Sequence, residues 1–183
     1  MIYSIALHES GKKHSTSGKL LPWPWAVNVE GAGYHFNTKE EAVKFVKAEL
    51  AKGKKSIDVG CMQINLKHHP KAFASIEEAF DPARNVNYGA QFLESKYAAT
   101  KSWKTAIAHY HSATEFYGKR YLQSVTQLAM NIDKHKVPAQ RSGLFMDIAT
   151  TRLYPLEGYK PLHKKYRSQL MVYVPRQENK KLL

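Results

Sequence analysis

Capped amphipathic segments dominate the sequence from residue 38 onwards. Thr38 and Glu41 form a capping box, Asp81-Pro82 places a proline at the first position of another helix, and Ser102 caps a third. After each signal, apolar residues recur at helical spacing, and the pattern continues to about residue 132. The sequence therefore predicts a mainly α domain, with a helix over 39–52 as its clearest element.

One stretch interrupts the helical period. Between residues 21 and 36, Pro22 and Pro24 bracket Trp23, and apolar side chains then alternate with polar ones before Gly31 and Gly33. This alternation next to glycines predicts a small β-hairpin inserted into the helical domain.

Charge divides the chain into two parts. The 183 residues include 28 Lys and Arg against 15 Asp and Glu, a net charge of +13 that favours an anionic polymer or surface as partner. The last third is the more basic part, so we expect a domain over residues 1–132 and a basic C-terminal extension over 133–183, in which 171–174 resembles a strand. The extension is expected to be a solvated tail or an arm that contacts an anionic surface.

The cysteine count excludes several classes of protein. Cys61 stands alone, which excludes an intrachain disulfide framework and a multi-cysteine zinc site. No apolar run is long enough for a membrane-spanning helix. Nine histidines include His68-His69 and His109-x-His111, but no His-Glu-x-x-His motif, so we expect surface or core histidines and no metal.

Glu9 differs from the other carboxylates. Most of the others lie on polar helix faces or in first turns, whereas Glu9 follows the apolar residues 5–7 and precedes a Ser-Gly break. A carboxyl half-buried there has a raised pKa, which suits it to donate a proton near neutral pH. On position alone, a plain glutamate at a helix end is the stronger alternative.

Four separated pieces of the sequence, in this order, resemble the soluble lytic transglycosylases, a lysozyme-like family that is also similar to goose-type lysozyme. The pieces are Ala6-Leu-His-Glu9-Ser10-Gly11; Gly60-Cys-Met-Gln-Ile-Asn65; Asp81-Pro82 with Asn85, Gly89 and Leu93; and Ala106-Ile-Ala-His-Tyr110-His-Ser. The Gly-x-Met-Gln-Ile-Asn piece is fairly specific by itself. Together the pieces imply a lysozyme-like helical fold.

The resemblance implies a reaction with one catalytic carboxylate. Glu9 would protonate the glycosidic oxygen between N-acetylmuramic acid and N-acetylglucosamine in peptidoglycan. The C6 hydroxyl of the muramic acid would then attack, deprotonated by the same glutamate, to give a 1,6-anhydro sugar. Most glycosidases need a second carboxylate, but here the substrate supplies the nucleophile. No cofactor and no metal is implied.

The resemblance also implies substrate-binding residues: Ser10 as an orienting or capping group, Met62 as a cleft wall, and Gln63, Asn65, Tyr110 and His111. The two amides can bind N-acetyl groups and sugar hydroxyls without adding charge. Tyr110 can place its hydroxyl on Glu9 or on the sugar. His111 stands where the family usually has asparagine, so its contact is open. Without the resemblance, each of these is better explained as a satisfied core polar group or a packed aromatic.

The sequence departs from the family by an insertion of about residues 20–55 between Glu9 and Gln63. The insertion is expected to border the cleft, where its aromatic residues stack on sugars or, more often, pack into a small core of the hairpin: Trp23, Trp25, Tyr34 and Phe36. Glu30 and Asp58 are candidate second carboxylates. Either of them near Glu9 could activate water and make the protein a hydrolytic muramidase.

The expected partners are peptidoglycan glycan strands, and a periplasmic or other cell-envelope location follows from that substrate. The first residues lack the basic region and apolar core of a signal peptide, so we expect that any export signal is missing from this sequence or has been removed. A secretion, conjugation or phage assembly could deliver the enzyme. The alternative without catalysis is a wall-binding or nucleic-acid-binding module on the same fold; no specific nucleic-acid motif supports the second.

Overall fold

Helices form most of the described structure. The computed structural model describes residues 1–15, 17–132, 144–147 and 171–174. Its helices are Ile2–Ser10 (α1), Lys39–Ala51 (α2), Ile76–Ala79 (α3), Pro82–Thr100 (α4), Trp103–His111 (α5) and Glu115–Met130 (α6). The mainly α, lysozyme-like prediction is confirmed.

The predicted helix caps are present. The Thr38 hydroxyl accepts a hydrogen bond from the Glu41 N–H at 3.2 Å, and the Glu41 carboxylate accepts one from the Thr38 N–H at 3.3 Å. Asp81 caps α4 by accepting from a backbone N–H, and Ser102 caps α5 in the same way. These local bonds satisfy N–H groups that a helix leaves without partners.

The predicted hairpin is part of a larger sheet. Strands Ala26–Val29 (β3) and Ala32–His35 (β4) pair antiparallel around the Glu30-Gly31 turn, where both residues have positive φ. Two further short strands, Ile57–Val59 (β5) and Ile64–Asn65 (β6), extend it to the order β4-β3-β5-β6. A smaller hairpin, Lys12–Lys13 (β1) with Leu20–Leu21 (β2), follows α1.

The buried side chains form two clusters. One joins α1, the Cys61–Ile64 segment, α4, α5 and α6. The other joins the sheet, α2 and Phe80. Trp23 and Trp25 are buried in the second cluster, so these two aromatics pack into a core.

A buried amide connects the motif segment after β5 to α4. The side chain of Asn85 accepts from the Met62 N–H at 2.8 Å and donates to the carbonyl oxygens of Val59 (2.9 Å) and Ala79 (3.0 Å). Gly60 has φ +79°, and a Cβ there would overlap the Asn85 amide. The Gly60–Met62 segment is therefore fixed to α4, and it holds Gln63 at one edge of the cleft.

Little of the expected C-terminal extension is described. Leu144–Asp147 (β7) pairs antiparallel with Met171–Val174 (β8), and the second of these strands is the one expected over residues 171–174. The rest of residues 133–183 lies outside the described residues. In the described part of the chain, no helix combines the length and apolar character needed to cross a membrane.

Candidate active site

An open cleft of about 530 Å³ is lined by residues from both the helices and the sheet. Its lining comes from α1, β3, β5, β6, α4 and α5, and it includes six of the candidate site residues: Glu9, Asp58, Gln63, Asn65, Tyr110 and His111. The cleft therefore collects residues that are distant in sequence, and all of the six except Asp58 belong to the family-like pieces. Its size suits a ligand of several rings.

Glu9 lies in the last turn of α1 and points into this cleft. Its side chain is partly buried, and one carboxylate oxygen accepts a hydrogen bond of 2.5 Å from the hydroxyl of Tyr121 on α6. Burial raises the pKa of Glu9 to about 7, and the negative charge of Asp58 adds to the rise, while the Tyr121 hydrogen bond opposes it. Near neutral pH this carboxyl is thus present in both protonation states, as a group that first gives and then takes a proton requires.

Tyr121 is the site residue that the sequence analysis missed. It sits on the apolar stripe of α6, where its spacing with Val125 is that of an ordinary core residue, and only 3% of it is exposed. His8 contacts its ring edge-on at 4.7 Å and His111 stacks on it at 4.8 Å. Burial, with the nearby Glu9 charge, raises the pKa of Tyr121 far above its usual range, so its hydroxyl stays a donor.

The hydroxyl of Tyr110 has a different partner from the two expected. It donates to the Met62 carbonyl oxygen at 2.9 Å, and Tyr121 takes the place on Glu9. The ring of Tyr110 stacks beside that of Tyr121 at a centroid distance of 6.4 Å, and it contacts the ring of Phe92 edge-on at 5.3 Å. Its ring can still line the path of a sugar, whereas its hydroxyl secures the motif segment.

The two amides of the motif are bound differently. The Gln63 side chain donates to the carbonyl oxygens of Gly60 (2.9 Å) and Ala26 (3.2 Å), which leaves its own carbonyl oxygen for a ligand N–H. Asn65 donates to Ser56 and Asp58 and accepts from two backbone N–H groups. Because all four positions of the Asn65 amide are used, its clearest function is to orient Asp58.

The two candidate second carboxylates have different positions. Asp58 on β5 lines the cleft, receives the Asn65 hydrogen bond at 2.8 Å, and has a pKa raised by burial. Glu30 is exposed at the β3–β4 turn and pairs with Lys54 at 2.6 Å, outside the cleft lining. Glu30 is therefore not among the carboxylates that the structure brings into the cleft with Glu9.

Ser10 and Met62 also lie outside the cleft lining. The Ser10 hydroxyl is buried. It lies within hydrogen-bond distance, 2.9 Å, of the carbonyl oxygens of Ala6 and Cys61, and it accepts a hydrogen bond from the Trp23 N–H. Met62 is 0% exposed and packs against Gly89 in the helical core. Neither side chain is part of the cleft lining, and the Ser10 hydroxyl connects α1 to the Cys61 backbone.

Cationic and imidazole side chains occupy the cleft more than expected. Four histidines and one lysine line it: His68, His69, His109, His111 and Lys96. The sequence pattern favoured surface or core histidines, because no local signal shows that the pairs His68-His69 and His109-x-His111 line the same cleft. Among the described residues, no three His, Cys, Asp or Glu side chains are grouped so that they could hold a metal ion.

Comparisons with known proteins agree with this geometry. The sequence model described as the transglycosylase SLT domain matches residues 1–131, the part that contains the whole cleft. A search of curated proteins and a search of solved structures gave no significant match. The family match covers well over half of the 183 residues. The chain therefore belongs to the transglycosylase SLT domain family.

Proposed function

We propose that this protein is a peptidoglycan lytic transglycosylase in which Glu9 is the single acid and base. Members of its family act on peptidoglycan, and the cleft, with its lining of amide, tyrosine and carboxylate groups, supports that substrate class. The bond to be cleaved is the β-1,4 bond between N-acetylmuramic acid and N-acetylglucosamine. Residues 1–132 would form the catalytic domain, which is supported by the extent of the family match and by the end of α6 at Met130.

The reaction balances without water. Protonated Glu9 gives its proton to the glycosidic oxygen as the bond from that oxygen to C1 of the muramic acid breaks. The C6 hydroxyl oxygen of the same sugar bonds to C1, and the Glu9 carboxylate takes the hydroxyl proton. The products are a new chain end on N-acetylglucosamine and a 1,6-anhydro muramic acid. Attack within one sugar ring needs no second reactant to be held, which lowers the entropic part of the barrier.

The observation that carries this proposal is the Glu9–Tyr121 pair. A carboxyl with a pKa of about 7, held by a hydroxyl that stays protonated, can change protonation state twice in one turnover at neutral pH. The free carbonyl oxygen of Gln63 supports the choice of substrate, because it can accept from the N–H of an N-acetyl group.

Mass spectrometry of digested peptidoglycan tests the proposal. We expect muropeptides with anhydro ends, lighter by one water than reducing ends. Glu9→Gln should abolish release of these products, while Glu30→Gln, which changes an exposed carboxylate outside the cleft, should not. Circular dichroism of both variants checks that they fold. Substantial release by a folded Glu9→Gln variant would reject Glu9 as the acid.

A hydrolytic muramidase is the second candidate, and Asp58 is the observation that favours it. Asp58 lines the same cleft, is oriented by Asn65, and acts on the pKa of Glu9 through its charge. A carboxylate so placed could deprotonate a water molecule that attacks C1. In that case the products carry reducing ends, and Asp58→Asn removes them. Anhydro products that persist in Asp58→Asn support the transglycosylase.

The substrate suggests action at the bacterial cell envelope, including the periplasm, and service to a secretion, conjugation or phage assembly is compatible with it. The non-catalytic alternative predicts polymer binding that weakens with salt, is unaffected by Glu9→Gln, and comes with no bond cleavage.

A further inference from the structure

One end of the cleft carries cationic and imidazole groups that the proposed reaction does not use. Lys96 on α4 lines the cleft, and its ammonium group lies 4.5 Å from the centre of the Phe92 ring. His68 and His69 line the same end, just after β6. Lys96 forms no ion pair with any carboxylate in the described part of the chain.

His69 and Lys96 both lie against the ring of Phe92. The charges of His68 and of Lys96 both lower the pKa of His69, after the larger effect of burial. The Nδ1 atom of His69 is 3.0 Å from the Tyr88 hydroxyl, and its ring packs on Phe92 at 4.7 Å. A fixed ring with a second nitrogen, beside an unpaired ammonium, is suited to an anionic ligand.

A row of aromatic rings connects this end to the acid. Tyr121, bonded to Glu9, stacks beside Tyr110 at 6.4 Å; Tyr110 contacts Phe92 at 5.3 Å; and Lys96 lies over Phe92. An extended peptide covers about 3.5 Å per residue, so a few residues span these contacts. A branch that leaves the sugar at Glu9 can therefore reach Lys96 without leaving the cleft.

We propose that Lys96, with His68 and His69, binds a carboxylate of the stem peptide that muramic acid carries. The inference rests on the proposed function and deepens it, because it names the part of peptidoglycan that the cleft recognises besides the sugar. In intact strands the lactyl carboxyl of muramic acid is joined to the peptide as an uncharged amide, whereas the stem peptide carries free carboxylates. The protein should thus prefer strands whose stem peptides keep their free carboxylates over strands in which those carboxylates are neutralised.

The test compares two substrates that differ only in the peptide. One set of glycan strands keeps uncrosslinked stem peptides with free carboxylates, and the other carries the same peptides with those carboxylates converted to methylamides. The ratio of kcat/KM values for the two sets measures peptide recognition. We expect the native protein to favour the first set. Lys96→Gln should lower the ratio about fivefold, because a partly exposed ion pair contributes at most about 1 kcal/mol. Lys96→Arg, which keeps the charge, should preserve most of the preference.

Lys71→Gln is the matched control, because it removes one exposed positive charge near the same segment but outside the cleft lining. Its ratio should equal that of the native protein. An unchanged ratio in Lys96→Gln, or an equal loss in Lys71→Gln, overturns the inference even if both substrates are cleaved. An equal loss in Lys71→Gln would mean that the basic protein attracts the anionic substrate through its net charge and not through a site at Lys96.

A binding measurement separates this inference from the proposed function. If the native protein cleaves neither substrate, the proposed function fails, and titration of a free stem tetrapeptide by NMR then decides the inference. Shifts at His69 and Phe92 that weaken in Lys96→Gln support it. Absence of those shifts, or the same shifts produced by an oligonucleotide at equal charge, overturns it.

Discussion

Replacement of Tyr121 by phenylalanine tests how the proposed acid is tuned. The variant keeps the ring and its contacts with His8 and His111, but it loses the hydroxyl that donates to Glu9 at 2.5 Å. That hydrogen bond favours the ionised form of Glu9. Its loss should therefore raise the pKa of Glu9 above about 7, the opposite of what a simple loss of packing would do.

The size of the rise follows from the burial of the pair. A hydrogen bond to a charged group contributes about 1.5–3 kcal/mol, and each pKa unit corresponds to about 1.4 kcal/mol. Because Tyr121 is only 3% exposed, solvent screens this bond little. We expect the pKa of Glu9 to rise by about 1 to 2 in the variant.

The pH profile of kcat/KM reports this pKa. Glu9 must be protonated to start the reaction, so the rate falls on the alkaline side of its pKa. The alkaline limb should move from about pH 7 in the native protein to about pH 8–9 in Tyr121→Phe. Titration of ¹³C-labelled Glu9 by NMR gives the same pKa without turnover.

Tyr110→Phe is the matched control. It removes a hydroxyl from the neighbouring ring, but that hydroxyl donates to the Met62 carbonyl and not to the acid. Its alkaline limb should stay near that of the native protein. Limbs at the same pH in both variants, with both folded, would refute the argument that Tyr121 sets the acidity of Glu9.

Three further changes test stability. Glu9→Gln should raise the free energy of unfolding by up to about 3 kcal/mol at pH 8 and by nothing near pH 4, because the raised pKa of Glu9 makes its ionisation above about pH 4.5 destabilising; urea titrations at both pH values measure this, with Glu30→Gln as control. Asn85→Ala breaks three buried hydrogen bonds and should cost about 3–5 kcal/mol in the same assay. Gly89→Ala places a Cβ 2.7 Å from the Met62 side chain and should lower the free energy of unfolding by about 1–3 kcal/mol. A double variant that also has a smaller side chain at position 62 should recover part of this loss.

Local signals made the helices predictable. The capping box of α2, the proline at the start of α4 and the serine cap of α5 each act within three or four residues, so the sequence alone contains the interacting partners. The four-stranded sheet was harder to predict. Its strands β5 and β6 have only three and two residues, too few for an alternating pattern to appear.

The site shows the same division between local and distant effects. Glu9, Gln63 and Asp58 could be named because they fall in or beside recognisable motifs. Tyr121 could not, because its spacing on α6 is that of a core residue and its partner is 112 positions away. The resemblance to the family pointed to Tyr110, whose ring lies beside Tyr121 but whose hydroxyl is used by the backbone of Met62.

The pairing of Glu9 with Tyr121 also bears on how the protein matures. The acid arrives on the first helix and the group that tunes it on the sixth, so synthesis on the ribosome delivers them at opposite ends of the domain. A nascent chain that has folded only its early segments holds an untuned carboxylate. In the proposed enzyme the tuned acid therefore requires both ends of the domain, and a product truncated before Tyr121 would lack the hydrogen bond that tunes Glu9.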